Sequence, residues 1–476
     1  MTIDTYSPRG ILINGEWIDT GKSITLRSPY DGEALAEVPS GDSATVDRAV
    51  AAAKTALRAD EFDRVARIAV LEAAVRELRE RHEQFARTIA VECAKPIRTA
   101  GIEVARTIDT FAFAAAEART YTGDMVPVDA VASGRGKIAY TLRLPVGVVA
   151  AIAPFNFPLN LVAHKVAPAI AVGCPVVLKP ASQTPLSSLL LAEMLTEVGL
   201  PPGWLNVITG GGVTVGDPLV QHDDVSYITF TGSPEVGWGI ARRAPKKKVR
   251  LELGSNAPLV VDADSEWETA AVKAAAAGFV QAGQSCVSTQ RIFVHKDIAS
   301  CFRDILVDGV AKLKIGAPLD ESVDVSALIS ASDARRVETW VREALAGGAR
   351  SEIGGERIDN VVPPTVLSGV TPSMKVQRDE IFGPVVTLTE FDDFDQALDM
   401  ANDSIFGLNA GVYTRDIAKA MRATRWLEFG SVFINDVPTV RADQQPYGGV
   451  KDSGNTREGP RYAMSEMTEP RLVTLQ

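Results

Sequence analysis

The chain is poor in the residues that build most metal and disulfide sites. Its 476 residues include only four cysteines and four histidines. Cys93, Cys174, Cys286 and Cys301 show neither CxxC spacing nor clustering, which argues against a disulfide framework and a cysteine-held zinc. His82, His164, His222 and His295 share no ligand-like spacing, so no metal is expected. Long apolar runs are missing too: Pro, Asn or His cuts them well short of the roughly 20 residues a membrane span needs. The opening MTIDTYSPRGILINGEWIDTG has neither the charged nor the apolar region of a secretion signal. Positive charge is in deficit, with 49 Lys and Arg against 60 Asp and Glu. The resulting net charge of −11 disfavours nucleic acid and anionic membranes as partners. The basic run RRAPKKKVR at 242–250 reads as a solvated helix end. These absences together lead to an expectation of a soluble, metal-free, cytoplasmic protein.

At this length one ordinary core does not suffice, so two or more domains are expected. After a strand-like ILINGEWI come helical patterns at 42–59, with Asp42 or Ser43 as cap, and from Asp63 towards Cys93, stopped by Pro96. A further helix covers about 101–120. The middle alternates continuously apolar strands (GVVAAIAPF, PVVLKP, WLNVIT, SYITFTGS) with helices. Such strands belong to a parallel sheet covered on both faces, a doubly wound α/β domain. From Val249 a second α/β series follows, with a helix around 266–282, RIFVH, a helix over 297–313, PTVLSGV and GPVVTLTEF. The strand-like segments 121–143 and MTEPRLVTLQ fit neither core; they pack on their own domain or pair with another subunit.

Several short stretches carry polar residues where chemistry could use them. Cys286 sits in QAGQSCVSTQR after an alanine-rich run and is either a small buried hydrophobe or a nucleophile. Glu252 lies between two leucines in LELGSNAP, where burial would raise its pKa and suit a general base. PFNFP fixes Asn156 between two prolines, as a turn residue or as an amide aimed at an oxyanion. A GxGxxG motif is absent, and TGGGVTVG at 209–216 has the wrong spacing for one. In FTGSPEVG, Gly232 and Ser233 follow a strand and open a helix. That is an ordinary Ser-Pro cap or a pyrophosphate site at a helix N-terminus.

Seven stretches, in order, resemble the NAD(P)-dependent aldehyde dehydrogenase superfamily: PFNFP, VVLKPASQTP, FTGSPEVG, LELGSNAP, GQSC, EIFGP and YGGVKDSG. The resemblance covers essentially the whole chain. It implies a cofactor domain from 1–120 and 144–250, a catalytic domain over 251–450, and an oligomerisation arm from 121–143 and 451–476, in a homodimer or homotetramer. It further implies that Cys286 is the nucleophile, that Asn156 with the Cys286 N–H holds the oxyanion, and that Glu252 activates the water that hydrolyses a thioester. Lys179 and Glu380 match contacts to cofactor ribose, Ser233 a pyrophosphate contact, and Phe382 an apolar contact beside the nicotinamide. Ser182 stands where NAD-restricted members carry a glutamate, so NADP is expected to be accepted alongside NAD. Glu252 favours release of a free acid over transfer of the acyl group to CoA; a non-catalytic scaffold protein is the other alternative.

The sequence departs from the family pattern at Ser255, where a glycine is usual, and in NTREG after YGGVKDSG. For the substrate side, Arg441 faces an anionic or hydroxyl group of a small aldehyde, or pairs with a surface carboxylate. Phe157 and Phe279 wall an apolar tunnel or belong to the core. Gly283 and Ser285 are expected to leave room around Cys286. Gln281, five residues before the nucleophile, replaces an arginine common in relatives acting on succinic semialdehyde. A lactaldehyde- or glyceraldehyde-like substrate, small and hydroxylated or anionic, is the expectation.

Overall fold

The computed structural model describes residues 6–59 and 61–476. The first residues of the opening segment and of the first domain range lie outside it. Strands Val148–Ile152, Val176–Lys179 and Leu205–Val207 are buried along their whole length and pair in parallel. Val225–Thr231 then pairs on the other side of the first of these, and Lys248–Glu252 pairs outside it. Crossovers therefore diverge between Ile152 and Thr231, and a doubly wound sheet opens a crevice beyond its carboxyl ends at such a switch point. Asn156 follows Val148–Ile152, Gly232 and Ser233 follow Val225–Thr231, and Glu252 ends Lys248–Glu252. Helix Asn160–Val172 is buried at all its positions and carries His164 and Lys165 into the interior behind that crevice.

The second seven-stranded sheet is ordered Arg350–Ile353, Thr365–Ser368, Val385–Phe391, Arg291–His295, Pro258–Val261, Asn409–Tyr413, Ser431–Ile434. It is parallel except at its first pair. A smaller antiparallel sheet joins Thr468–Leu475, Ile138–Pro145 and Met125–Val126, in register from Thr468 opposite Pro145 to Leu475 opposite Ile138. The doubly wound α/β architecture with a second α/β unit and a small β arm is as expected.

Several details differ. ILINGEWI is two strands, Ile11–Ile13 and Glu16–Ile18, turned by Asn14 (φ 55°) and Gly15 (φ 79°). Both residues take the left-handed conformation that a two-residue hairpin needs and Asn-Gly supplies. The helix from Asp63 breaks at Arg81 into Arg64–Glu80 and His82–Cys93, and the helix after Pro96 begins at Ile97. Lys248–Glu252 is the edge of the first sheet, held by parallel pairs from Tyr227 opposite Lys248 to Thr231 opposite Glu252. A boundary at 250/251 therefore cuts a strand. Of the segment 451–476, only Thr468–Leu475 joins the arm; Met464 and Met467 pack into the core under the first sheet. The helix expected over 266–282 ends at Ala277.

Candidate active site

Between that helix and the cysteine, Gln281, Ala282 and Gly283 all adopt left-handed backbone, with φ of 55°, 53° and 71°. Such conformations are unfavourable for residues with a Cβ and persist only where the surroundings hold them. A Cβ on Gly283 would lie 2.0 Å from the Gly383 carbonyl oxygen. Gly283 is therefore needed by the turn and by its contact with Gly383, and it does not open space beside the sulfur as its sequence context suggests. Ser285 is buried, and its carbonyl and hydroxyl cap the Ser288 and Val287 N–H groups. Gln281 is buried with its amide on the Cys93 carbonyl, away from the crevice.

The turn delivers Cys286 next to Asn156, whose Nδ2 donates to the Gln284 carbonyl at 2.9 Å. The Lys95 ammonium donates to the Asn156 carbonyl at 2.7 Å, so backbone and side chain are both anchored. An amide has two N–H bonds, and the second remains for another acceptor. The Cys286 N–H has no acceptor among the described residues. The Cys286 Sγ lies 2.8 Å from the Tyr447 hydroxyl. Glu252 is 1% exposed, yet among the described residues neither of its carboxyl oxygens has a partner within hydrogen-bond geometry. Burial above all, then the charge of Glu458, pushes its carboxyl up to about 8. A buried carboxyl without partners costs stability, so it is a poor structural element and a good proton acceptor held in reserve.

A cleft of about 900 Å³ runs from Cys286 and Glu252 past Gly232, Ser233, Glu380 and Phe382. Ser233 caps helix Pro234–Arg243 by backbone position alone, because its side chain makes no capping bond. Gly232 donates to the Glu252 carbonyl at 3.1 Å and so ties the two strand ends together. Lys179 is buried with only the Pro180 carbonyl as acceptor among the described residues, at 3.1 Å, and burial pulls its ammonium down to about 8. Glu380 accepts from the Ser255 N–H at 2.8 Å, and burial pushes its carboxyl up to about 7. Phe382, with φ 45°, meets Phe155 edge to face at 5.8 Å. Ser182 is exposed and lies beside the hairpin strand Ser23–Arg27, its hydroxyl donating to the Gly210 carbonyl at 2.9 Å. An open helix N-terminus, an underused lysine and the half-buried Glu380 carboxylate fit the pyrophosphate and ribose hydroxyls of a dinucleotide.

On the other side of the sulfur the structure surrounds Arg441 with charged residues that sequence reading missed: Arg106, Lys165, Asp443 and Glu458. Arg441 is not a surface arginine: its side chain is 6% exposed and pairs with Glu458 at 2.8 Å. Its guanidinium stacks on the Tyr447 ring, 3.7 Å from the centroid. Lys165 reaches the other Glu458 oxygen at 3.3 Å. Lys165 and Arg441 outweigh burial and hold the Glu458 carboxyl down at about 2. Asp443 binds Arg106 through both carboxylate oxygens, at 2.9 and 3.1 Å, and accepts from or faces His164 at 2.9 Å. Burial and Arg441 keep His164 neutral by lowering its pKa. Three cations (Arg106, Lys165, Arg441) thus face two carboxylates (Glu458, Asp443), a net charge of +1. Phe157 is half-buried beneath Lys95 and Arg106, whereas Phe279 is a core residue. These partners come from segments far apart in sequence; only the unusual polarity of the NLVAHKVAP helix hinted at them.

Residues 17–473 match the aldehyde dehydrogenase family. A 3-sulfolactaldehyde dehydrogenase of Priestia aryabhattai is 44% identical over 466 residues, 98% of each chain. Aldehyde dehydrogenase 21 of Physcomitrella patens, solved with its reaction product succinate, superposes with a TM-score of 0.96 at 40% identity, covering 100% of this chain and 99% of that one. The NADP-dependent glyceraldehyde-3-phosphate dehydrogenase of Bacillus halodurans C-125, solved with NADP, gives a TM-score of 0.96 at 35% identity over 98% of this chain and 99% of that one. With that match over nearly its whole length, and a cysteine, an amide and a buried glutamate lining one cleft, the chain belongs to the aldehyde dehydrogenase family.

Proposed function

We propose that this protein oxidises a small, hydroxylated aldehyde bearing a terminal anion to the carboxylic acid, with Cys286 as nucleophile. The observation that carries this reading is the unpaired, buried Glu252 beside Cys286, backed by a net-positive cluster on the substrate side. The Cys286 thiolate attacks the carbonyl carbon, and the carbonyl electron pair moves onto oxygen. The second Asn156 N–H and the free Cys286 N–H are the donors for that oxyanion; one such donor is worth about 100- to 1,000-fold in rate. Lys179, Ser233, Glu380 and Phe382 would hold NAD(P)⁺, which when bound accepts hydride from the former aldehyde carbon. Cys286 then carries a thioester. Glu252, as carboxylate, takes a proton from water while the water oxygen attacks the thioester carbon. The C–S bond breaks and sulfur leaves as thiolate.

The buried Arg441 Nε has no acceptor among the described residues, which leaves one donor for the anionic end of a substrate. Arg106, 23% exposed, stands next to it across Asp443. A three-carbon aldehyde with a 2-hydroxyl and a sulfonate or carboxylate suits this arrangement, and both the sulfolactaldehyde-oxidising and the succinate-bound relatives handle anionic molecules. Exposed, neutral Ser182 supports use of NADP as well as NAD. Glu252 favours hydrolysis over acyl transfer to CoA, and an intact catalytic set disfavours a silent scaffold role. A homodimer or homotetramer built through the arm is supported by exposed Ile138, Leu142, Leu472 and Leu475 on its paired strands. A reducing cytoplasm suits a working thiol and the exposed Cys301.

The test is NADH and NADPH production over a panel of short aldehydes matched in size, with and without an anionic group. Anionic hydroxyaldehydes should give the highest kcat/KM, and Cys286→Ser should abolish turnover. Preference for neutral aldehydes, or turnover by the serine variant, refutes the reading.

A further inference from the structure

The nucleophile's sulfur lies within hydrogen-bond distance of the Tyr447 hydroxyl, at 2.8 Å. That tyrosine is held on every side. Tyr447 and Glu458 exchange both backbone hydrogen bonds, at 3.1 and 2.6 Å, in an isolated antiparallel bridge. Glu458 in turn pairs with Arg441, and Arg441 covers the Tyr447 ring at 3.7 Å. The loop Tyr447–Glu458–Arg441 is closed on itself, and Lys165 braces it from helix Asn160–Val172. Val287 and Leu408 pack with the ring, which is 1% exposed. A phenol so constrained has little freedom to turn its hydroxyl away from Sγ.

We propose that Tyr447 is a positioning residue for Cys286: its O–H donates to Sγ and holds the sulfur, as thiolate, aimed at the aldehyde. Burial, then the charges of Cys286 and Glu252, outweigh Arg441 and keep the phenol neutral and therefore a donor, its own ionisation lying well above the ordinary tyrosine range. The thiol needs this help. Burial and the carboxyl groups of Glu252 and Glu380 oppose thiolate formation, while the Tyr447 hydrogen bond and the Arg441 charge favour it. Those four ionisable side chains, from the edge strand, the Glu380 loop and the Arg441–Tyr447 loop, face the sulfur; Asn156 beside them is neutral. On ionisation the S–H bond breaks, the proton leaves to bulk water, and the electron pair stays on sulfur to accept the phenolic hydrogen bond. Arg441 contributes twice, through its charge and by fixing the ring that aims the hydroxyl.

This inference rests on Cys286 being the nucleophile, and the two fail differently. The experiment measures iodoacetamide labelling of the whole enzyme against pH, read by mass on the Cys286 peptide, in wild type and Tyr447→Phe. Exposed Cys301 in the same molecules is the internal control. Phenylalanine keeps the ring beneath Arg441 and removes only the hydroxyl. A hydrogen bond to a charged group is worth about one to two pH units of midpoint. The Cys286 midpoint should therefore rise by about that amount, with labelling at pH 7 falling at least tenfold and Cys301 unmoved. The acid limb of kcat/KM should move by the same amount while the aldehyde KM holds. Placing 3-fluorotyrosine at 447, a stronger donor, should move the midpoint the opposite way. An unchanged Cys286 midpoint in both variants, with Cys286→Ser inactive, overturns the role of Tyr447 and leaves the nucleophile standing. Turnover by Cys286→Ser overturns the nucleophile itself.

Discussion

Replacing Glu252 by Gln separates the two halves of the proposed reaction. Gln keeps the shape of a side chain that is 1% exposed and has no hydrogen-bond partner to lose among the described residues, so the fold should survive. The amide cannot take a proton from water, and general-base removal costs about 100- to 10,000-fold. A stopped-flow trace of the variant should show one equivalent of NAD(P)H per active site, followed by a steady state lower by that factor. The wild type adds a second signature. With the carboxyl at about 8, the ionised fraction is about one tenth at pH 7 and about nine tenths at pH 9. Where thioester hydrolysis limits turnover, kcat should rise roughly ninefold between those pH values, and the rise should vanish in the variant. A steady-state rate unchanged by Glu252→Gln, or an identical pH rise in both proteins, refutes the assignment of Glu252 as the base.

The same substitution should raise stability. The carboxyl's folded value, about 8, exceeds its ordinary 4.5, so the folded chain binds the extra proton between those values and this group's contribution falls as pH rises through that window. Gln does not titrate, and the melting temperature of Glu252→Gln should exceed the wild type's by a margin that widens from pH 5 to pH 8; a constant or shrinking margin contradicts the burial argument. Ser182→Glu places a carboxylate beside the proposed 2′-phosphate position, and kcat/KM for NADP should fall about tenfold or more while that for NAD holds; equal losses for both cofactors would count against that position. Arg106→Ala should raise KM about 10- to 100-fold for an anionic hydroxyaldehyde and leave a neutral aldehyde of equal size within about twofold; a parallel rise for both removes Arg106 from anion recognition. Deleting residues 468–476 removes the strand paired with Ile138–Pro145, and light scattering should then report a smaller assembly than the full chain's.

Much of this molecule is legible in the sequence because local rules act there. Val148–Ile152 and Val176–Lys179 read as buried parallel strands because nothing polar interrupts them. Asn156, Gly232 and Glu252 stand at strand ends, where a doubly wound sheet exposes its ligands. What escaped the sequence was set by partners remote along the chain. Lys248–Glu252 reads equally well as the last strand of one sheet or the first of the next, and only its pairing with Tyr227–Thr231 decides. The Asn14-Gly15 hairpin was a local signal, hidden by the apolar residues on either side. Gly283 looked like empty space beside a nucleophile because sequence cannot display the Gly383 carbonyl that fills it.

The site's polarity illustrates the same limit with a functional consequence. His164 and Lys165 lie in a helix buried at every position, a placement that burial alone would penalise severely. Each gains a carboxylate partner when the chain closes, Asp443 for the histidine and Glu458 for the lysine, whose ammonium also donates to the Thr231 hydroxyl at 2.6 Å. Both carboxylates come from the segment 433–458, which also supplies Arg441 and Tyr447. That segment therefore does two things at once: it neutralises the charges of Lys165 and Arg106, and it sets the tyrosine against Cys286. Removing one partner of a buried pair typically costs about 3–5 kcal/mol, because the other is left bare. Within this cluster, change is cheapest at positions the network does not close on. Substrate selectivity can drift at Arg106, whose side chain is partly exposed, while Arg441, Glu458 and Lys165 are bound to one another and to the geometry of the sulfur.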